Sequence, residues 1–239
     1  MMGHTHALSG AAIWLAAVPV LEALHVPLTF PGVVAGGLVS AGAALLPDLD
    51  HPSATIAHTY GPITHLLSRG VNAVAGGHRH ATHSLFFVIL AAGVTEGVAR
   101  LSAGAVQVFV ALLIGIGLRG LGIGVPRRRV GSAIVNAMVN AGLLGGFALL
   151  GVRYQWIGVA VGLGCLVHLI GDCITTEGCP LLWPWQVRFS VPVVPRTGGR
   201  VERWLVTPVL LAAIGLLALR ALGPLHAPSM TALWPPHAS

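Results

Sequence analysis

The sequence predicts an all-α, polytopic helical membrane protein of about six to seven transmembrane or half-membrane helices, with a metal site at one membrane face. Three observations lead there. Hydrophobic residues make up 55% of the 239 positions and charged residues 8%, with a mean hydropathy of +0.83, which leaves little material for a water-facing surface. The apolar residues fall in long runs. Four of the seven acidic residues and most of the histidines fall in short blocks outside those runs.

The runs cover residues 8–24, 31–46, 84–99, 104–118, 133–151, 154–172 and 205–222. Each is about 15 to 19 residues against roughly 17 to 25 for a spanning helix, so one or two are expected to be half-helices or buried segments. Glycines inside them, as in "GLLGGFALLG", suit close helix approach in lipid. Residues 1–222 read as one helical domain and 223–239 as a flexible tail. The start, "MMGHTHALSG", lacks the positive region of a secretory signal, so the first run is expected to remain as an anchor.

Orientation follows from arginine, since the chain has no lysine. If the runs alternate direction, Arg69, Arg79, Arg119, Arg127, Arg128, Arg129, Arg188, Arg196, Arg200 and Arg203 fall on one side. Arg100, Arg153 and Arg220 fall on the other. The richer side is cytoplasmic by the positive-inside rule, which puts the N-terminus inside and the C-terminal tail outside. A net charge of +6 could suggest nucleic acid, but the arginines are scattered between apolar runs without a basic helix or interleaved aromatics, and no nucleic-acid partner is expected. Cys165, Cys173 and Cys179 show no CxxC spacing and read as reduced thiols.

The histidines test this topology independently. Nine of twelve fall on the expected cytoplasmic side: His4, His6, His51, His58, His65, His78, His80, His83 and His168. Asp48, Asp50 and Asp172 lie there too, so four helix ends bring ionisable groups to one face. In "LLPDLDHP", residues 45–52, two carboxylates follow a helix expected to end at Pro47; at the membrane boundary they call for a compensating cation. In "GHRHATHS", residues 77–84, His78 and His83 offer imidazoles, and Thr82 and Ser84 can cap a helix or fix a ring tautomer. Arg79 there is suited to bidentate contact with phosphate or carboxylate. In "HLIGD", residues 168–172, His168 and Asp172 stand four apart on one helix face.

Together these groups predict a hydrolytic site with two or three divalent ions. Zinc is favoured by the many imidazoles, with manganese or magnesium as oxygen-preferring alternatives. HExxH, GxSxG, a glycine-rich GKS/GKT loop and a strand-to-helix GxGxxG are all absent.

"LLPDLDHP", "GHRHATHS", "HLIGDCITTEGCPLLWPW", "RFSVPV" and "GGRVERW" resemble, in order and spacing over roughly residues 4 to 204, the YdjM-like family of bacterial inner-membrane, metal-dependent hydrolases. The resemblance implies a distant relation to the zinc-dependent phospholipase C and single-strand nuclease superfamily. Its pattern would place ligands at His4 or His6, at Asp48 with Asp50, at His83 with His78, and at His168 with Asp172. His80 stands where the family commonly has glycine and is not carried over. No second H-x3-E pair follows Asp172, a departure that bears on a third ion.

The expected function is therefore a membrane-embedded, metal-dependent hydrolase of the inner membrane, cleaving a phosphoester in a lipid or lipid-linked substrate. Asp48, Asp50, His83, His168 and Asp172 would hold metal, with His78 and His4 or His6 completing the shell. Arg79 or Arg203 would steady anionic oxygens, and Asp50, the spare carboxylate of its pair, would act as general base. The alternatives are a divalent metal-ion transporter or sensor, and a scaffolding membrane protein. Transport sites sit near the midplane on broken helices, whereas these ligands gather at helix ends.

Overall fold

The structure, a computed structural model, describes residues 1–124 and 130–226, apart from the side chains of 130–133 and 222–226. Arg127, Arg128, Arg129, His237 and the tail from residue 227 onward lie outside the described residues. The described chain is almost wholly helical: α1 (Gly3–Ala23), α2 (Phe30–Ala43), α3 (Pro62–Ala75), α4 (Leu85–Leu101), α5 (Ala103–Gly120), α6 (Val130–Leu149), α7 (Ile157–Cys173) and α8 (Thr207–His226). Each of the seven apolar runs is one of these helices. The eighth, α3, is an amphipathic helix that the apolar runs do not mark.

Local chemistry sets the helix starts. Thr29 caps α2 by accepting from the Gly32 N–H, Ser84 caps α4 through Phe87, and Ser102 caps α5 through Ala105. The α-helical part of α2 stops at Ala43, before Pro47; the proline instead opens a 3-10 turn, Pro47–Asp50. Proline fits there because the first turn needs no N–H from it. Helix and turn together make a 21-residue span.

Four segments are long and apolar enough to cross a membrane: Gly3–Ala23, Phe30–Asp50, Ala103–Gly120 and Glu202–Ala221. The segments Ile134–Leu149 and Ile157–Cys173 are shorter and apolar. Only 6% of the last long span is buried in the protein, against 67% of Phe30–Asp50, so α2 is the central helix and the α8 segment faces lipid.

α2 packs against α1, α5 and α7. Small residues allow the approach: a Cβ on Gly10 of α1 or on Gly164 of α7 would stand 2.5 Å from the Ser40 carbonyl oxygen, and one on Gly42 would collide with the Leu113 carbonyl of α5. In lipid, where apolar side chains gain little by leaving their surroundings, such backbone-close packing holds helices together. Trp14, Val39, Val110, Ile114, Trp156 and Val161 fill the space between them, and Trp14 Nε1 donates to the Val33 carbonyl at 2.8 Å.

The packing brings the start of α1, the end of α2, the start of α4 and the end of α7 to one side of the bundle. The end of α5 lies there too, since a Cβ on Gly120 would meet Ala7 and Leu45. This is the alternation read from the apolar runs. The segment after α7 folds over that side through two isolated bridges, Thr175 with Val194 and Cys179 with Phe189, and its Leu181 carbonyl accepts from the Leu85 N–H at 2.9 Å. All three cysteines are free thiols.

Candidate metal centre

Two clusters able to hold a metal ion lie side by side on this face: Asp48, Asp50, His78 and His83 form one, and His6, His168 and Asp172 the other. They meet where His83 Nε2 stands 3.2 Å from His168 Nε2. Asp48 Oδ1 is 3.7 Å from both of those nitrogens, while Asp172 Oδ2 is 3.6 Å from His83 Nε2 and 3.7 Å from His168 Nε2. Donor atoms from the turn after α2, the loop before α4 and two positions of α7 thus meet at the seam of the two clusters, each carboxylate oxygen within 3.7 Å of both Nε2 atoms. With metal–ligand bonds of about 2.0–2.2 Å, a tetrahedron has edges of about 3.3–3.6 Å, so the imidazole–imidazole and imidazole–carboxylate separations, 3.2–3.7 Å, are close to those around a divalent ion.

The imidazoles are turned for ligation. His168 Nδ1 lies 2.7 Å from the Ala44 carbonyl, which can only accept, so Nδ1 carries the proton and Nε2 presents its lone pair. Asp50 does the same for His83, whose Nδ1 lies 3.2 Å from Asp50 Oδ2. Burial alone would lower the His83 pKa, but hydrogen bonds and charge from Asp48 and Asp50 outweigh it and raise the value to about 9. A cation in the cage would meet the same carboxylates in place of that proton.

Asp50 is fully buried, and both its oxygens are engaged. Oδ1 accepts from His78 Nδ1 at 2.9 Å; Oδ2 accepts from the Arg79 N–H at 3.0 Å and from the Thr82 hydroxyl, besides facing His83. Arg79 reaches this arrangement with φ at +58°, a left-handed conformation that residues with a Cβ rarely adopt. From there Nη2 pairs with Asp172 Oδ2 at 2.9 Å and Nη1 with Glu177 Oε2 at 3.2 Å.

On the other flank His6 Nε2 contacts Asp172 Oδ1 at 3.2 Å, and its ring stacks on His168 with centroids 3.8 Å apart. The Met1 amino group also reaches Asp172 Oδ1, at 2.8 Å. Asp50, Asp172 and Glu177 are thus gathered around Arg79, with Asp48 beside the two imidazoles, and these four carboxylates outnumber Arg79 and the Met1 amino group, an excess of negative charge that a divalent cation would offset.

A cavity of about 450 Å3 opens over the cage, walled by Asp48, His51, His78, Arg79, Asp172 and Glu177 among others. His4 and Arg203 stand apart. His4, two residues before His6, falls in neither cluster. Arg203 is exposed on a π-helical turn, Glu202–Val206, with its guanidinium beside Gly198, and does not line the cavity.

Neighbouring Glu202 points inward instead. It is fully buried and accepts from the Met2 N–H at 2.6 Å and the Gly198 N–H at 2.7 Å. Sequence reasoning missed Glu202, Glu177 and the Ala44 carbonyl. The one signal for Glu202 was that it stands inside the "GGRVERW" block.

A family model described as "YdjM inner membrane protein" matches residues 1–227. The chain belongs to the YdjM inner membrane protein family. Among curated proteins it is similar to "Inner membrane protein YdjM" of Escherichia coli (strain K12) and to the protein of the same name in Shigella flexneri. Each is 46% identical over 44 residues, 18% of this chain. That match spans 22% of the length of either relative. No solved structure matches. With the apolar spans, family membership identifies a multi-pass protein of the inner membrane.

Proposed function

We propose that this YdjM-family protein is a metal-dependent hydrolase that cleaves a phosphoester in a lipid or lipid-linked substrate. The observation that carries the reading is the four-atom cage of Asp48, His83, His168 and Asp172, with each imidazole fixed by its other nitrogen. Mixed imidazole and carboxylate donors favour zinc. Asp172 has one oxygen in the cage and the other beside His6, which would let two ions share it.

Bound metal would polarise the phosphoryl oxygens and lower the pKa of water. The protein's own groups supply the rest. His78 lines the cavity with Nδ1 committed to Asp50, which leaves Nε2 to take a proton from the attacking water; Asp50, saturated with donors, orients rather than accepts. Arg79 places positive charge in the cavity wall and holds Asp172. The arginine distribution supports a cavity at the cytoplasmic side, where a lipid would arrive by lateral diffusion.

The test is to purify the protein in detergent, measure bound metal, and assay generic phosphodiester and phosphomonoester substrates with and without chelator. Chelator-sensitive turnover that is lost in Asp48→Asn and His168→Ala, with the fold retained, is the expected result. Metal flux across liposomes without hydrolysis would replace this reading with a transporter.

A further inference from the structure

We propose that α3 is an in-plane anchor, seated between the metal-site loops and the anionic headgroups of the leaflet on which the cavity opens. α3 is 14 residues long, about 21 Å at 1.5 Å per residue, too short to cross a hydrocarbon core of about 30 Å. Its two faces differ in kind. Thr64, Ser68 and Ala75 are buried, and the helix packs on the turns Pro47–Asp50 and Ile56–His58. Asn72 Nδ2 donates to the Asp50 carbonyl at 2.6 Å, which ties α3 to the carboxylate that orients His83.

Outward, Ile63 is 76% exposed, Leu66 72%, Leu67 52% and Val74 92%. At 100° per residue these four and Gly70 fall within a stripe of about 100°, the width of one buried helix face. Water does not suit such a stripe, and the described residues provide no cover for it.

Two observations identify the bilayer as its partner. First, α3 joins α2 to α4 on one side of the bundle, and the first turns of α4, the membrane-embedded helix that follows it, present Phe86, 54% exposed, and Ile89, 72% exposed, so exposed apolar surface flanks the same boundary on the next element of the chain. Secondly, the helix has no acidic residue, and exposed Arg69 stands beside the stripe, where its stem can lie along the apolar face and its charge reach a phosphate. The bilayer thereby presses on the element that carries Asn72 and leads, through Gly76 and Gly77, to His78 and Arg79. The inference stands whether or not the metal centre is hydrolytic.

The experiment uses the full chain in vesicles of phosphatidylglycerol and phosphatidylethanolamine. Spin labels are placed by Leu67→Cys and Val74→Cys, with Ser53→Cys at the cavity lip as the aqueous reference and the unsubstituted protein as background. Labels at 67 and 74 should show an oxygen-to-nickel-chelate collision ratio several-fold above that at 53. A ratio equal to that at 53 would put the stripe in water and overturn the proposal. Labels shielded from both reagents would mean that protein covers the stripe, which overturns it equally. Replacing phosphatidylglycerol with phosphatidylcholine should lower the ratio at 74; an unchanged ratio would overturn the choice of anionic headgroups.

Discussion

The Ala44 carbonyl accepts a hydrogen bond from His168 Nδ1 at 2.7 Å, so the last turn of the central helix fixes the ligating face of α7. Removing the ring does two things: the cage loses a donor, and the carbonyl is left without its partner in a buried setting. His168→Ala should therefore lose metal and also lower thermal stability by about 1–3 kcal/mol, the cost of an orphaned buried acceptor. Metal analysis and unfolding in detergent read the two effects separately.

Asp50 faces four donors and turns His83 toward the cage. Asp50→Asn keeps the shape but replaces one acceptor oxygen with a donor NH2, which misdirects His83 or His78. A fall in metal affinity of about 10–100-fold is expected, as for other groups that orient a ligand. Competition with a chromogenic chelator measures it, and an unchanged affinity would remove Asp50 from that role.

Metal should stabilise the fold, because the cage exists only when α2, α7 and the loop before α4 are packed. With free ion at one hundred times its dissociation constant the gain is about 2.7 kcal/mol. A chelator titration followed by thermal unfolding should show the midpoint falling, and the shift should vanish in Asp48→Asn.

Glu202 receives two backbone N–H groups while fully buried. Glu202→Ala would orphan both and release the segment before α1 from the start of α8, at about 1–3 kcal/mol for each donor. Arg203→Ala, one residue along on the exposed side, should stay within about 0.5 kcal/mol of the parent. Thermal unfolding of the two variants side by side distinguishes them.

Gly42→Ala should destabilise the α2–α5 contact by about 1–3 kcal/mol, since the added methyl meets backbone that cannot swing aside. Gly215→Ala, with open space around it, serves as the neutral control in the same unfolding measurement.

The transmembrane helices were legible because a long apolar run has one cheap solution in lipid, and the site because paired residues such as His168 and Asp172 announce a shared face. α3 escaped notice because Arg69, His65 and Asn72 interrupt its apolar residues; only the spacing of 63, 66, 67, 70 and 74 gives it away. Tertiary partners were not legible at all. Nothing in the local sequence says that the Ala44 carbonyl will meet a histidine 124 positions later, or that a π-helical turn will send Glu202 inward and Arg203 outward. Asp50 and Asp48 looked equivalent in sequence; the donors around Asp50 are what separate an orienting carboxylate from one that faces the cage.

The cage draws on Asp48, His83, His168 and Asp172, residues that leave the ribosome far apart in time. Until α7 has been inserted and docked, the early carboxylates and the first imidazole lack the two α7 ligands that complete the cage. On the proposed reading, completion of the cage is thus a late event in biogenesis, and a nascent chain arrested before His168 should hold a divalent ion less tightly than the finished protein, however well its first helices have entered the bilayer.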